Sequence, residues 1–297
     1  METQSYLSVY AKSFNWAGFF LPKNILIKCS VLYDFCRTLD NIADQNNSLE
    51  KKKEEFIKFK EEFSSKSKNN IIISNMIDLI RNENINSSIV YDLFDGIESD
   101  IKANVKIKSY KELLIYCYRV AGTVGLMMAK IMKVKNRDSL KSAINLGIAM
   151  QLTNISRDVI EDKNNDREYI ESNFLILKNT IHKADNFYES SFYAIKDIPL
   201  ICRFSIIVAR RVYREIGRKI LKISDFENYK CSGKVYLNNF EKLIQTFFSL
   251  GDIFKLMFTT KNTNLTVIDH SLINEDINLN ERFWLHHYWR WVFRSIV

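Results

Sequence analysis

Residues 154–162 read Asn-Ile-Ser-Arg-Asp-Val-Ile-Glu-Asp, and residues 40–44 read Asp-Asn-Ile-Ala-Asp. Each stretch holds two aspartates four residues apart, Asp158 and Asp162 in the first and Asp40 and Asp44 in the second. On an α-helix that spacing stacks both carboxylates on one face, a single turn apart. Like charges so placed weaken an isolated helix, so they bring it no structural gain. A bound cation reverses the sign of that interaction. Asn154 lies one turn before Asp158 and extends the stripe of oxygens, while Arg37 and Arg157 stand beside the two motifs. Two such faces opposed across a gap suit Mg²⁺, which prefers hard oxygen ligands, keeps several waters and is often shared with phosphate oxygens. The arginines suit the phosphate. The competing reading is surface acids at chance spacing, and a second motif in an otherwise apolar helix, again with an arginine, weighs against it.

Both motifs need helices to carry them, and the surrounding sequence predicts helices throughout. The chain of 297 residues contains only 8 glycines and 2 prolines, too few for the tight turns of a strand-rich fold. Over residues 24–44, Ile25, Cys29, Leu32, Tyr33, Cys36 and Leu39 recur at spacings of three and four. Residues 49–63 are densely charged, with Phe56, Phe59 and Phe63 as one apolar stripe and the charges as a solvated face. Further helices are expected over 71–80, 89–101, 109–132, 139–162, 184–195, 200–223 and 235–258, with Ser109 and Glu112 at capping-box spacing and a break at 164–170. No internal repeat or low-complexity linker divides the chain. One all-α domain over residues 1–260 is expected, followed by a distinct tail over 261–297.

Several classes are disfavoured. The five cysteines include no C-x-x-C pair, and with four histidines they suggest neither a disulfide framework nor a zinc site. The opening residues resemble neither a signal sequence nor an arginine-rich transit peptide, so a cytoplasmic location is expected. Residues 113–132 are apolar enough to mimic a membrane span, but Arg119 lies inside, and a buried core helix is the better reading. A net charge of +8 suits diphosphates, lipid headgroups or nucleic acid alike. No zinc-finger spacing, RNP-like aromatic string or basic arm accompanies it, so no nucleic-acid partner is expected.

The motifs and their order resemble the squalene and phytoene synthase family. Its first acidic motif, roughly C-R-x-x-D-D-x-x-D, is similar to Cys-Arg-Thr-Leu-Asp-Asn-Ile-Ala-Asp at 36–44. Its second, N-x-x-R-D-x-x-E-D, matches residues 154–162, and between them YCYRVAGTVGLMM at 116–128 resembles Y-C-x-x-V-A-G-T-V-G. AKSF at 11–14 is similar to the family's S-K-S-F. The resemblance spans roughly residues 6–250. It implies a single helical bundle of the isoprenoid synthase type around a central apolar cavity. It also implies a Mg²⁺-dependent prenyltransferase of isoprenoid biosynthesis, with Mn²⁺ as an alternative ion. Asp40, Asp44, Asn154, Asp158 and Asp162 would hold metal and diphosphate. Lys12, Ser13, Tyr33, Arg37, Gln151, Arg157, Tyr213 and Lys234 would contact substrate, and Tyr116 would stand near the reacting centre.

The reaction so implied is the head-to-head condensation of two prenyl diphosphates, with phytoene made from two geranylgeranyl diphosphates in carotenoid biosynthesis as the leading case. Squalene or dehydrosqualene synthesis from farnesyl diphosphate is the runner-up, and a non-catalytic assembly factor on the same fold is a third reading. Three departures stand out: Asn41 replaces the second aspartate of the first motif, Ala11 the serine that often opens S-K-S-F, and Lys234 an arginine. Lysine keeps the charge but loses the bidentate grip. Gly122 and Gly125 read either as room for a prenyl tail or as close helix packing, and Leu126, Met127 and Met128 as candidate cavity lining. In the tail, Trp284, Tyr288, Trp289, Trp291 and Phe293 suit either a membrane interface or packing on the domain. His286 and His287 are adjacent and share no helix face. Sequence alone leaves the oligomeric state open.

Overall fold

The computed structural model describes residues 16–258, 268 and 270–284. Helix α1, Lys23–Asp44, follows Pro22 and buries Cys29, Leu32, Phe35, Leu39, Ile42 and Ala43 along one stripe. Helix α2, Leu49–Ser64, is capped by Ser48, whose side chain accepts from the Lys51 N–H. Its charges face solvent while Phe56, Phe59 and Phe63 turn inward. Their rings meet Phe35 and Phe94 at centroid distances of 5.4–5.9 Å, within the range where aromatic pairs attract. Helix α3, Ile71–Glu83, ends on Asn84 in the left-handed conformation, and α4 covers Ser87–Asp100.

The apolar stretch is a core helix. Helix α5, Tyr110–Cys117, a π-helical turn at Tyr118–Gly122 and α6, Thr123–Ile131, run on as one rod of 22 residues. It is long and apolar enough to cross a membrane, yet Cys117, Tyr118, Leu126 and Met127 are wholly buried in protein. Ser109 caps it by accepting from the Glu112 N–H, and the Glu112 carboxylate reaches back to the Lys108 N–H. At the π turn the Tyr118 hydroxyl donates to Asp92, which also receives two bonds from Arg282.

Helix α7, Arg137–Asn164, packs against α6, against α8, Phe174–Phe192, and against α9, Leu200–Leu221. The α6–α7 crossing needs glycine. A Cβ on Gly147 would lie 2.2 Å from the Ala121 carbonyl oxygen, and one on Gly125 would lie 2.3 Å from that of Ala143. Close packing therefore accounts for Gly125, and Gly122 likewise sits against Tyr118 and Ile144. A two-residue parallel ladder, β1 at Val105–Lys106 and β2 at Arg167–Glu168, ties the loop after α4 to the loop after α7.

Helix α8 begins at Phe174 instead of 184, because Asn173 caps it by accepting from the N–H groups of Leu175 and Ile176. The short α10, Phe226–Cys231, falls between the expected helices at 200–223 and 235–258, and α11 runs Asn239–Phe258. Two single-turn helices follow, α12 at Ser271–Asn274 and α13 at Leu279–Arg282. Ile273, Ile277, Leu279 and Phe283 join the main hydrophobic core, and His270 is hydrogen-bonded to Asn145 at 2.6 Å. The Trp284 ring carries the Arg137 guanidinium at 4.5 Å. His286, His287, Tyr288, Trp289, Trp291 and Phe293 lie outside the described residues.

Candidate active site

The C-terminal half of α7 and the C-terminal end of α1 face one another across a polar cavity of about 150 Å³. Asp40 and Asp44 line it from α1, and Asn154, Asp158 and Asp162 from α7. Beneath it lies an apolar cavity of about 280 Å³, walled by Leu32, Val124, Met128, Leu146, Met150 and Ile206 among others. The two hollows share Asp40, Gln151 and Asn154. Of the three side chains expected along the cavity, Met128 lines it, whereas Leu126 and Met127 point into core packing instead.

The acids of the polar hollow are only partly neutralised by their basic neighbours. Burial, reinforced by the charge of Asp44, pushes the Asp40 carboxyl up to about 7. Burial and the Asp158 charge do the same for Asp162, also to about 7. The Asn154 side-chain oxygen is buried with no hydrogen-bond partner among the described residues. Carboxyl groups gathered at such cost, with the Asn154 amide oxygen buried in the same lining, form a donor set that a hard divalent cation satisfies. Among the described residues no three acidic, histidine or cysteine side chains close into a protein-only metal cage. A cation here would share its coordination with water and an anionic ligand.

Positive groups bracket the acids. Arg157 donates from Nε to Asp158 Oδ1 at 2.8 Å and pairs through a second nitrogen with Oδ2. Lys234 lies 2.7 Å from Glu161 and 3.4 Å from Asp158. Arg37, one turn before Asp40 on α1, lowers the pKa of Asp40 against the effect of burial. Tyr33 and Tyr213 line the apolar cavity, where burial raises both phenols, Tyr213 to about 12. Gln151 sits at the junction of the hollows, and Lys12 and Ser13 lie outside the described residues.

Three cavity residues were not singled out by the sequence reading. Arg167, from β2, donates to Asp44 at 2.9 Å and to the Ala43 carbonyl at 3.2 Å, fastening the end of α1 to the loop after α7. Asp100, at the end of α4, accepts from Tyr116 and Tyr169, each at 2.8 Å, and those two rings stack at 4.7 Å. Burial raises Asp100 to about 6 despite these bonds. Arg167 and Tyr169 belong to the stretch 164–170, read only as a helix break, and Asp100 is a lone carboxylate; neither carries a local spacing signal.

A pH dependence follows for the metal-free protein. Asp40 retains a proton in the fold up to about pH 7, which the unfolded chain releases near pH 4. The folded state binds more protons in that window, so this group's contribution to stability falls as pH rises through it. Compared with Asp40→Asn in chelator, the wild type is expected to lose up to about 4 kcal/mol between those limits. Urea unfolding across the range measures the difference, and a flat one contradicts the account.

Helical walls, opposed acidic faces and a polar hollow that shares Asp40, Gln151 and Asn154 with an apolar one make up the site. A model of the family described as squalene/phytoene synthase matches residues 7–175, more than half of the chain, and the chain belongs to that family. It is 37% identical to a phytoene synthase of Pseudescherichia vulneris, across 43% of this chain and 48% of that protein, so this match spans about half of the relative's length. It is 26% identical to a 15-cis-phytoene synthase of Pantoea ananas, across 72% and 80%. Among solved structures, a dehydrosqualene synthase in complex with ligand superposes with a TM-score of 0.69 at 26% identity, covering 84% of this chain and 95% of that one. A squalene synthase from Alicyclobacillus acidocaldarius shares the fold, with a TM-score of 0.62 at 15% identity over 75% and 91%.

Proposed function

We propose that this chain is a divalent-metal-dependent prenyltransferase that condenses two prenyl diphosphates head to head, converting two geranylgeranyl diphosphates to phytoene. The observation that carries the reading is the junction of the two hollows at Asp40, Gln151 and Asn154. A diphosphate held at the acids there would hang its prenyl chain directly into the apolar cavity. Asp40, Asp44, Asn154, Asp158 and Asp162 are the residues that would hold the ion, Mg²⁺ with Mn²⁺ as an alternative. When bound, it would neutralise the diphosphate leaving group.

The chain's own side chains do the rest. Arg157, Lys234 and Arg37 would grip diphosphate oxygens, with Lys12 and Ser13 from the amino-terminal motif. Tyr33, Gln151 and Tyr213 would orient the substrate where head group meets tail, and apolar walls would keep water from the allylic cation. One chain ionises and releases its diphosphate, its C1 alkylates the double bond of the other, and loss of a proton from the resulting cation closes the ring of a cyclopropylcarbinyl diphosphate. That intermediate ionises in turn, releasing the second diphosphate, rearranges and loses a proton to give the hydrocarbon, with Tyr116 close to the reacting centre.

Condensation of two farnesyl diphosphates is the second reading, favoured by the likeness to the dehydrosqualene synthase. An assembly factor without activity is disfavoured, because all four motif aspartates line the polar hollow. Purified protein with Mg²⁺ is expected to turn geranylgeranyl diphosphate into a C40 hydrocarbon, identified by mass. A C30 product made in preference from farnesyl diphosphate would favour the second reading, and no consumption of either substrate would reject both.

A further inference from the structure

The rod formed by α5, the π turn and α6 has a weak point, and residues 270–284 splint it. At Tyr118–Gly122 the helical bonding changes register, a single-turn defect of the kind found inside helices at functional sites. Tyr116, just before the turn, lines the polar hollow, while Val120, Ala121 and Val124 line the apolar one. The geometry of the turn therefore sets how the two hollows meet. Lys111, in the first turn of the rod, donates to Glu275 at 2.8 Å and to Asp276 at 3.1 Å. Lys130, in its last turn, donates to the Phe283 carbonyl at 2.9 Å. Asn86, the cap of α4, donates to the carbonyls of Glu281 at 2.9 Å and Trp284 at 2.8 Å.

Between these anchors Arg282 reaches toward the turn itself. Asp92 of α4, 5% exposed, accepts from Arg282 Nε on Oδ2 at 2.8 Å and from a second guanidinium nitrogen on Oδ1 at 3.0 Å. The same Oδ2 accepts from the hydroxyl of Tyr118, wholly buried at the start of the turn, at 2.8 Å. Among the described residues Arg282 is the cation paired with Asp92. A forked guanidinium fixes the plane of a carboxylate, which a point charge does not. That plane places the oxygen that holds Tyr118. One turn further along α4, a Cβ on Gly96 would lie 2.8 Å from Arg119 Cβ and 2.9 Å from Val120 Cγ1, so α4 rests directly on the turn. At the end of α4, Asp100 holds Tyr116.

We propose that Arg282 is a positioning residue for the condensation: through Asp92 and Tyr118 it fixes the π turn, and with it Tyr116 and the Val120 wall of the cavity. A simple counter-ion would only neutralise Asp92. Here the grip is bidentate, the acceptor oxygen is shared with Tyr118, and the segment carrying Arg282 is tied to both ends of the rod. The effect on turnover rests on the prenyltransferase reading, whereas the clamp on the turn does not.

The full-length Arg282→Met, Tyr118→Phe and Asp92→Asn/Arg282→Met variants are compared with wild type by thermal melting and by turnover of geranylgeranyl diphosphate with Mg²⁺, well below each melt. Arg282→Met is expected to melt lower, because Asp92 is left buried and unpaired. It is also expected to lose kcat by about tenfold or more, with KM little changed. Tyr118→Phe is expected to lower kcat alike, and adding Arg282→Met to it is expected to cost nothing further. The Asp92→Asn/Arg282→Met variant, with no buried charge, is expected to regain the melt but not the kcat. Recovery of both together makes Arg282 a counter-ion only and overturns the proposal, as does full turnover by folded Arg282→Met. Wild type that consumes no prenyl diphosphate rejects the reaction instead. Backbone hydrogen exchange at 118–122 then reads the clamp: faster exchange in both Arg282 variants supports it, and exchange equal to wild type overturns it.

Discussion

Asp158→Asn is expected to lower turnover of a prenyl diphosphate by about 1,000-fold or more, equivalent to about 4 kcal/mol of transition-state stabilisation, with the fold intact. Asp158 stands between the two charge systems of the site. On one side it extends the acid stripe of Asn154 and Asp162, and on the other it holds Arg157 through two bonds and lies 3.4 Å from Lys234. The amide retains size and one acceptor but not the charge, so a cation shared with diphosphate loses a ligand of its preferred kind. Arg157 would then be freed to pair with Glu161 or diphosphate. Asp158 is only 15% exposed and paired with Arg157, but the amide keeps an acceptor for that arginine, so the change is expected to cost about 1–2 kcal/mol of stability. Turnover at saturating Mg²⁺ and a thermal melt measure the two quantities. Retained activity would remove Asp158 from the proposed machinery.

Gly147→Ala is expected to destabilise the fold by about 3 kcal/mol or more, although alanine is the better helix former by about 1 kcal/mol. Two effects of opposite sign compete, and distance decides between them. The new Cβ would meet the Ala121 carbonyl oxygen at 2.2 Å and its carbon at 2.7 Å, both backbone atoms that cannot rotate away. The π turn and α7 must then separate, opening the packing that aims the acid stripe of α7. Gly251 on α11 is the control, since a Cβ there meets nothing within 4 Å. Gly251→Ala is expected to leave stability unchanged or raise it by up to about 1 kcal/mol. Urea midpoints for the pair read the contrast, and equal effects would refute the close crossing.

The parts of this molecule that were legible in the sequence are those written locally. The spacing of Leu32, Leu39 and their neighbours marks α1, and the Phe56, Phe59 and Phe63 stripe marks α2. Aspartates four apart announce a chemical face wherever the helix is placed. What was hidden depends on contacts between distant segments. Asp100, Arg167 and Tyr169 come together only through the β1–β2 ladder and the ends of α4 and α7. The π turn at Tyr118–Gly122 has no compositional mark of its own, and α10 is too short for a periodic signal. Gly125 admits two readings in sequence, and in the fold both hold, because it lines the apolar cavity and lies against the Ala143 carbonyl. That α11 buries Lys242, Gln245, Ser249 and Leu256 and exposes Phe240, Phe247 and Phe254 is hidden for a related reason: periodicity reveals that a helix is two-faced, but not which face meets the protein.

The central claim is that the acid faces of α1 and α7 jointly hold a diphosphate through divalent cations at the mouth of the apolar cavity. Anomalous diffraction from crystals grown with Mn²⁺ and a non-ionising prenyl thiodiphosphate tests it most directly. The expected result is manganese density between Asp40 and Asp44 on one side and Asn154, Asp158 and Asp162 on the other, with the prenyl chain running toward Met128 and Leu146. Density for the ligand elsewhere, with no manganese between those helices, would contradict it.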